Sequence, residues 1–445
     1  MKNNDLTKGP IFKKIILFAL PMILGNLLQQ IYNLADTLIV GRALGSNALA
    51  SVGAVYTLMT FITSVIIGLC MGSGAIYSHD FGQKDEASLK KNIWHSFWFI
   101  FAITILIYLI IYPGVNWIIS LLRIPDEIID MTKEYILYVF IGIIFTFLYN
   151  FFAYLLKAIG DSLTPLIFLG ISCLFNIGLD IWFVIGLNLG VMGAAVATVI
   201  AQALSGIGLM IYSFIKLPIL HKIDKTFEGN RLLHIMGFDA STCAQQSIMN
   251  LGILMIQSLV NSFGTTIMAA FAAAVKIDTL AYMPAQEFGN AYSLFISQNH
   301  GAKEDERIKK GTKISFLVST IFCLVISIFI FFMANILMGI FVDTKEVEII
   351  NEGVKYLRIE GSMYIGIGIL FLWYGYFRGI NKPLISLILT IISLGLRVLL
   401  SYTLAPYTSL NEIAIWISIP IGWVVADIAG LIFYLLKSKK PISNS

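Results

Sequence analysis

Residues 20–44 read LPMILGNLLQQIYNLADTLIVGRAL, and their reading decides the fold. The stretch is long and apolar enough to cross a bilayer, for which about 20 residues suffice. It also carries a carboxylate, Asp36, well inside it. An acid at that depth costs roughly 2.5–3.5 kcal/mol on insertion scales, so it marks either a structural partner on a neighbouring helix or a functional site. Tyr32 and Asn33 precede Asp36 by one helical turn and Gln29 by two, so all four share a face. A membrane helix with a polar stripe follows. Pro21 withdraws a backbone hydrogen bond near its start and predicts a hinge there.

The rest of the chain repeats this texture. Of 445 residues 58% are hydrophobic and 13% charged, in long apolar blocks with short polar breaks, which makes the chain an all-α polytopic membrane protein. The blocks place twelve spans near 15–41, 50–77, 93–112, 135–156, 165–186, 191–215, 233–262, 268–297, 314–338, 356–377, 384–405 and 412–436. Segments 113–134 and 339–355 read as amphipathic loops along the outer interface. No cleavage site follows the first apolar block, so that span is expected to be retained.

Alternate loops hold 22 of the 30 lysines and arginines; the intervening ones hold 6, and Lys276 and Arg397 fall inside spans. This asymmetry predicts both termini in the cytoplasm and accounts for the net charge of +4 without a nucleic-acid partner. There is no G-x-x-x-x-G-K-[ST] run, so no nucleotide is expected either. Cys70, Cys173, Cys243 and Cys323 all fall in apolar spans with no metal-site or disulfide spacing and read as packing residues. The five histidines sit at span ends or in loops, where solvated side chains are expected.

The loop GQKDEASLKK at 82–91 returns as GAKEDERIKK at 301–310; Pro165 returns as Pro383, and Asn33-Leu34 as Asn250-Leu251. A common shift near half the length means two related halves. An even number of spans separates each pair, so the halves insert the same way up, related by an axis along the membrane normal. The predicted division is an N-lobe at 1–216, a cytoplasmic linker at 217–231 and a C-lobe at 232–445.

Asp36 and Asp180 are the two mid-membrane acids of the first half, and Asn176 stacks one turn before Asp180. If the acids face one another in a dry pocket, two bare charges are disfavoured and one can take up a proton. Alternatively Asp36, Asp180 and Asn176, with Asn150 and Thr198, could supply the oxygens that hold a sodium ion. The second half lacks this pair: the matching positions fall among Gly252 to Leu254 and at Arg397 to Val398. Its own intramembrane groups are Lys276, Asp278, Glu287, Arg397 and Asp427, with Gln245, Gln246 and Asn250 on span seven. With Gln29, Tyr32 and Asn33, these other than Asp427 are the candidate substrate contacts.

Spans one and two with their linker (LPMILGNLLQQIYNLADTLIVGRALGSNALASVGA), the GDSLTP loop followed by NIGLD, the KID of span eight and the SQNHGA before the second basic loop resemble the multidrug and toxic compound extrusion (MATE) family, in particular its prokaryotic DinF-like branch. The resemblance covers essentially the whole chain. It implies twelve helices in two pseudo-symmetric six-helix lobes, a central cleft that alternates between the two sides, and efflux of bulky, often cationic amphiphiles in exchange for protons or sodium. It assigns the N-lobe cation site to Asp36 and Asp180 with Asn176, Asn150, Gln29 and Thr198, and makes Pro21 a bend that reports protonation. Some members place a further coupling acid on span seven, where this chain is read as offering only Gln245 and Gln246. The expected activity is secondary active efflux by a monomer, not an enzymatic reaction, with no cofactor beyond the coupling ion. The alternative is a lipid-linked oligosaccharide flippase of the same superfamily, which would need several basic residues in its cleft where only Lys276 and Arg397 are available.

Overall fold

A computed structural model describes residues 5–121, 124–221 and 224–438. Lys2, Arg123, Lys222, Lys439 and Lys440, which enter the charge count, and residues 222–223 of the linker lie outside the described residues. The helices are α1 (Ile11–Leu44), α2 (Ser46–Gln83), α3 (Glu86–Leu121), α4 (Ile129–Val139), α5 (Ile143–Ala158), α6 (Leu163–Asp180), α7 (Gly190–Lys216), α8 (Gly229–Asn261), α9 (Thr265–Gly301), α10 (Asp305–Phe341), α11 (Val347–Gly361), α12 (Tyr364–Gly379), α13 (Pro383–Leu404) and α14 (Glu412–Ser438). Two short turns separate paired helices that form one pass each: Phe140–Gly142 joins α4 to α5, and Ser362-Met363 joins α11 to α12. The result is twelve passes.

Ten of them meet length and hydropathy criteria for a membrane span by themselves. The exceptions have local causes. In α8 the first half, GNRLLHIMGFDASTCAQQ, is too polar to score, and the α11–α12 pass is split into pieces too short to score. Two loop expectations are corrected. Helix α3 runs on through Pro113 to Leu121, and α11 starts at Val347, inside what reads as an interfacial loop. Proline is tolerated within a membrane helix because neighbouring groups re-satisfy the freed carbonyl.

The chain divides into two compact units, one built on Leu24–Cys243 and the other on Leu6–Ile23 with the chain from Ala244 on. The border therefore falls inside α1, two residues after Pro21, and inside α8, and not at the polar linker alone. Within the first unit α2 packs against α3, α4 and α5; within the second α9 packs against α10, α11 and α12. The backbone repeats in detail. Gly45 precedes α2 with φ 86° and ψ −173°, and Gly264 precedes α9 with φ 98° and ψ 172°, a region that residues with a Cβ scarcely enter. Lys84 and Lys303 both end their helices in the left-handed region, with φ 61° and 58°.

Small residues set the helix spacing in the first unit. A Cβ on Gly68 would stand 2.6 Å from Cys243 Cα, and one on Gly72 would stand 2.5 Å from Asp239 Oδ1. The start of α8 is thereby seated directly against α2, as expected where packing and not hydrophobicity drives association in lipid. Cys70, Cys173 and Cys323 are buried and Cys243 half-buried, all four as free thiols.

Candidate cation site

Three helices and a tyrosine assemble the site in the first unit. Helix α1 brings Tyr32 and Asp36, α6 brings Asn176 and Asp180 one turn apart, α7 brings Thr198, and α4 adds Tyr135. Asp180 is fully buried, as are Asn176, Thr198 and Tyr135, and Asp36 is half-buried. The carboxyls of Asp36 and Asp180 lie within hydrogen-bonding reach of each other. With its amide turned to satisfy both ends, Asn176 donates to Asp180 Oδ2 (2.9 Å) and accepts from the Thr198 backbone N–H (3.3 Å). The Tyr32 phenol faces Thr198.

Two ionised carboxylates have only acceptors to offer one another, so contact at this range requires a shared proton or a bridging cation. Among the described residues no lysine or arginine stands beside the pair to neutralise it. Asp36 Oδ1, Asp180 Oδ1 and Thr198 Oγ1 are buried and without hydrogen-bond partners. An all-oxygen donor set with open valences also fits a hard cation such as sodium.

The remaining first-half candidates lie less centrally. The Asn150 amide donates to its own helix at Thr146 O (2.8 Å). Gln29 is exposed, and Asn33 is half-buried, its carbonyl accepting from Thr37 Oγ1 (2.8 Å). Pro21 lies inside an α1 that is continuous across it.

The second unit holds a different polar centre. A cavity of about 70 Å³ is lined by Asp278, Tyr282, Tyr356, Glu360, Arg397 and Trp423, among others. Asp278 accepts from Tyr364 Oη (2.6 Å) and more weakly from Tyr356 Oη (3.4 Å). Arg397 is close enough to stabilise both acids electrostatically, yet its Nε and Glu360 Oε2 have no hydrogen-bond partner. Lys276 is exposed, on another face of α9 from Asp278, as their spacing implies. Glu287 accepts from Asn290 (3.3 Å), which in turn accepts from Arg378 (3.0 Å). Gln245 is buried, Gln246 and Asn250 are half-buried, and Asp427 is half-buried with Oδ1 unpaired.

Sequence reasoning missed three acids. Glu360 lies in VKYLRIEG, which runs from the end of the expected interfacial loop (339–355) into the start of the tenth expected span (356–377) and carries mixed charge throughout. Asp80, at the end of α2, accepts from Asn92 Nδ2 (2.5 Å). Asp239 corrects the statement that span seven has no carboxylate: it is fully buried on α8 and accepts from Ser73 Oγ (2.6 Å). His95 corrects the expectation of solvated histidines. It is buried, its Nε2 accepting the Glu228 N–H (2.9 Å) while Nδ1 meets Lys91 O (2.7 Å). An i, i+4 apolar neighbourhood on α3 was the signal that could have found it.

Comparison with known proteins agrees with this architecture. The MatE family model matches residues 21–182 and again 241–403, once per half. "Probable multidrug resistance protein YpnP" of Bacillus subtilis (strain 168) is 27% identical over 447 residues, covering 98% of this chain and 97% of that protein. "Multidrug export protein MepA" of Staphylococcus aureus (strain MSSA476) is 22% identical, over 100% of this chain and 99% of that one. A solved multidrug resistance MATE family transporter, described as outward-facing, superposes with a TM-score of 0.92 at 22% identity, covering 100% and 99% of the two chains. Twelve passes in two compact units, with the family model matching once in each half, place the chain in the MatE family.

Proposed function

We propose that the protein is a secondary active multidrug exporter of the cell membrane, with both termini cytoplasmic. It moves amphiphilic, often cationic compounds outward as protons or sodium ions move inward. Asp36 and Asp180 take the coupling cation, with Asn176 and Thr198 completing its surroundings. The observation that carries this reading is a buried carboxyl, Asp180, beside a half-buried one, Asp36, with no lysine or arginine next to them among the described residues.

Such a pair gives the cation different affinities in different arrangements of the helices that carry it, because α1 and α6 supply one acid each. A cation that binds one arrangement better shifts the population toward it, and a drug that prefers the other shifts it back. Exchange of one for the other follows. Pro21, beside the border that divides α1, is the point at which this helix would flex. Hydrophobic and aromatic walls would suit such compounds, since their attraction for varied ligands is non-directional.

The test is ethidium efflux from proteoliposomes with a proton gradient and a sodium gradient imposed separately. One gradient drives efflux by the native protein, and Asp36→Asn reduces it to the level of protein-free liposomes. Gradient-driven efflux that survives Asp36→Asn overturns the proposal.

A further inference from the structure

On the surface of the second unit two grooves meet at one arginine. The first, of about 590 Å³, is apolar: Phe331 of α10, Ile359 and Met363 at the α11–α12 break, and Ile417, Ile421 and Val424 of α14 line it. Ser362 and Met363 of the α11–α12 break and Pro420 of α14 lie along it. The second, of about 520 Å³, is polar and is lined by Thr266, Glu348, Asn351, Glu352 and Lys355. Arg358 lines both.

The charges are ordered along this furrow. Arg358 is exposed, lies over the Phe331 ring (5.3 Å to its centroid) and donates only from Nε, in a long contact of 3.4 Å to Phe331 O. Among the described residues its two terminal nitrogens meet no acceptor. On the polar side Lys355 is held by Glu352 (2.6 Å) and also feels Glu412, which leaves Glu348 and one oxygen of Glu352 uncompensated. From the apolar groove outward the order is therefore hydrocarbon, then an open guanidinium, then an excess of carboxylates.

We infer that this furrow binds an aminophospholipid of the surrounding bilayer, its acyl chain in the apolar groove, its phosphate on Arg358 and its primary ammonium among Glu348, Glu352 and Asn351. The Phe331 and Met363 side chains are 43% and 42% exposed in a protein whose solvent at such faces is hydrocarbon, so an acyl chain is the available occupant. A planar guanidinium offering two N–H donors suits a phosphate. Acids beyond it suit an amine and repel a second anion. An anionic headgroup without an amine matches only half of the order, and a quaternary amine offers no N–H to the carboxylates.

Purified protein washed in detergent with equimolar phosphatidylethanolamine, phosphatidylglycerol and phosphatidylcholine, followed by mass spectrometry of the retained lipid, tests this. Native protein retains phosphatidylethanolamine in excess over the other two. Arg358→Ala lowers total retention roughly tenfold, the loss of one charge-assisted contact, and Arg358→Lys keeps an intermediate amount. Glu348→Gln, an exposed substitution that leaves folding undisturbed, brings phosphatidylethanolamine down to the level of phosphatidylcholine. Equal retention of the three lipids by native protein, or unchanged retention in Arg358→Ala, overturns the inference.

Discussion

The two lobes place a polar centre at the same address and fill it with opposite chemistry. A shift of 217 residues, the one that carries Asn33-Leu34 onto Asn250-Leu251, brings Asp36 to Ile253, Asn176 to Ser393 and Asp180 to Arg397. All three of the second-lobe residues line its cavity. Tyr135 on α4 and Tyr356 on α11 stand beside the two centres in matching short helices. In the first lobe the two acids stand together and, among the described residues, have no lysine or arginine beside them. In the second a guanidinium occupies the slot of Asp180, and the acids have moved to Asp278 and Glu360. A site that must borrow its positive charge responds to ions outside the protein; one that carries its own is largely self-sufficient. The repeat supplies the geometry twice, and the residues that fill it decide which copy carries its own basic partner.

The sharpest way to break this comparison is to remove the first lobe's acids. Asp180→Asn is expected to abolish gradient-driven efflux while leaving the protein folded, because an amide keeps the shape and the Asn176 contact but takes up no proton and offers a cation no negative charge. Retained coupling in this variant would move the responsive site elsewhere. Next in size is Arg397→Gln, which strips the second lobe of its cation and leaves two buried acids uncompensated. A destabilisation on the order of 3 kcal/mol is expected, measured as a lower thermal unfolding midpoint of the purified protein. Pairing it with Glu360→Gln should recover much of that loss, since the two changes remove opposite charges from one cavity. If the double variant is no better than the single one, Arg397 does not compensate Glu360. A smaller effect is expected for Asn176→Ala. It removes the hydrogen bond to Asp180 Oδ2, worth about 1–3 kcal/mol when one partner is charged, and should change the ion concentration that half-saturates transport without abolishing the maximal rate.

The sequence makes some of this legible and hides the rest for identifiable reasons. Asp36 and Asp180 stand out because each interrupts a long apolar run, and the i, i+4 spacing ties Asn176 to Asp180. The duplication shows in two basic loops because loop charges are not diluted by the apolar composition that all membrane helices share. Glu360 escapes notice because the pass that carries it is broken after Gly361, so its first half is short and rich in charge and resembles a surface helix. Asp239 escapes for a related reason: the first half of α8 is polar along its length, and one acid among histidine, threonine and glutamine carries little contrast. The interior of the border in α1 and α8 has no local signal at all, since continuous helices give no break in periodicity where they pass from one compact unit to the other.

The lobes also differ in how they hold the chain that enters their first-packed helix, and here the expected effect is smallest. In the second unit Arg307 donates to the carbonyls of Leu6 (3.0 Å) and Gly9 (2.9 Å), and Gln298 accepts the Leu6 N–H (3.0 Å), a clamp made mainly on backbone. In the first unit the segment before α8 is held by side-chain charge: Glu228 pairs with Lys91 and with Arg231 Nε (2.8 Å), and Arg231 also donates to Asn92 (3.0 Å). The contacts from Lys91 and then Arg231 pull the Glu228 carboxyl down from 4.5 to about 2. A carboxyl whose proton affinity falls on folding stabilises the folded state fully above its unfolded value, and the benefit fades as pH drops from about 4.5 toward 2. The Glu228 carboxylate therefore stays ionised from pH 5 to 8, and its own titration cannot make transport sensitive to pH in that range. Because these groups are half-buried and still in reach of water, Glu228→Gln should change the unfolding midpoint only slightly at pH 7 and not at all near pH 2, with the small difference shrinking at high salt. A pH-dependence of efflux between 5 and 8 that Glu228→Gln removes would place part of the ion response in this clamp, and the contrast between the lobes would then no longer rest on Asp36 and Asp180 alone.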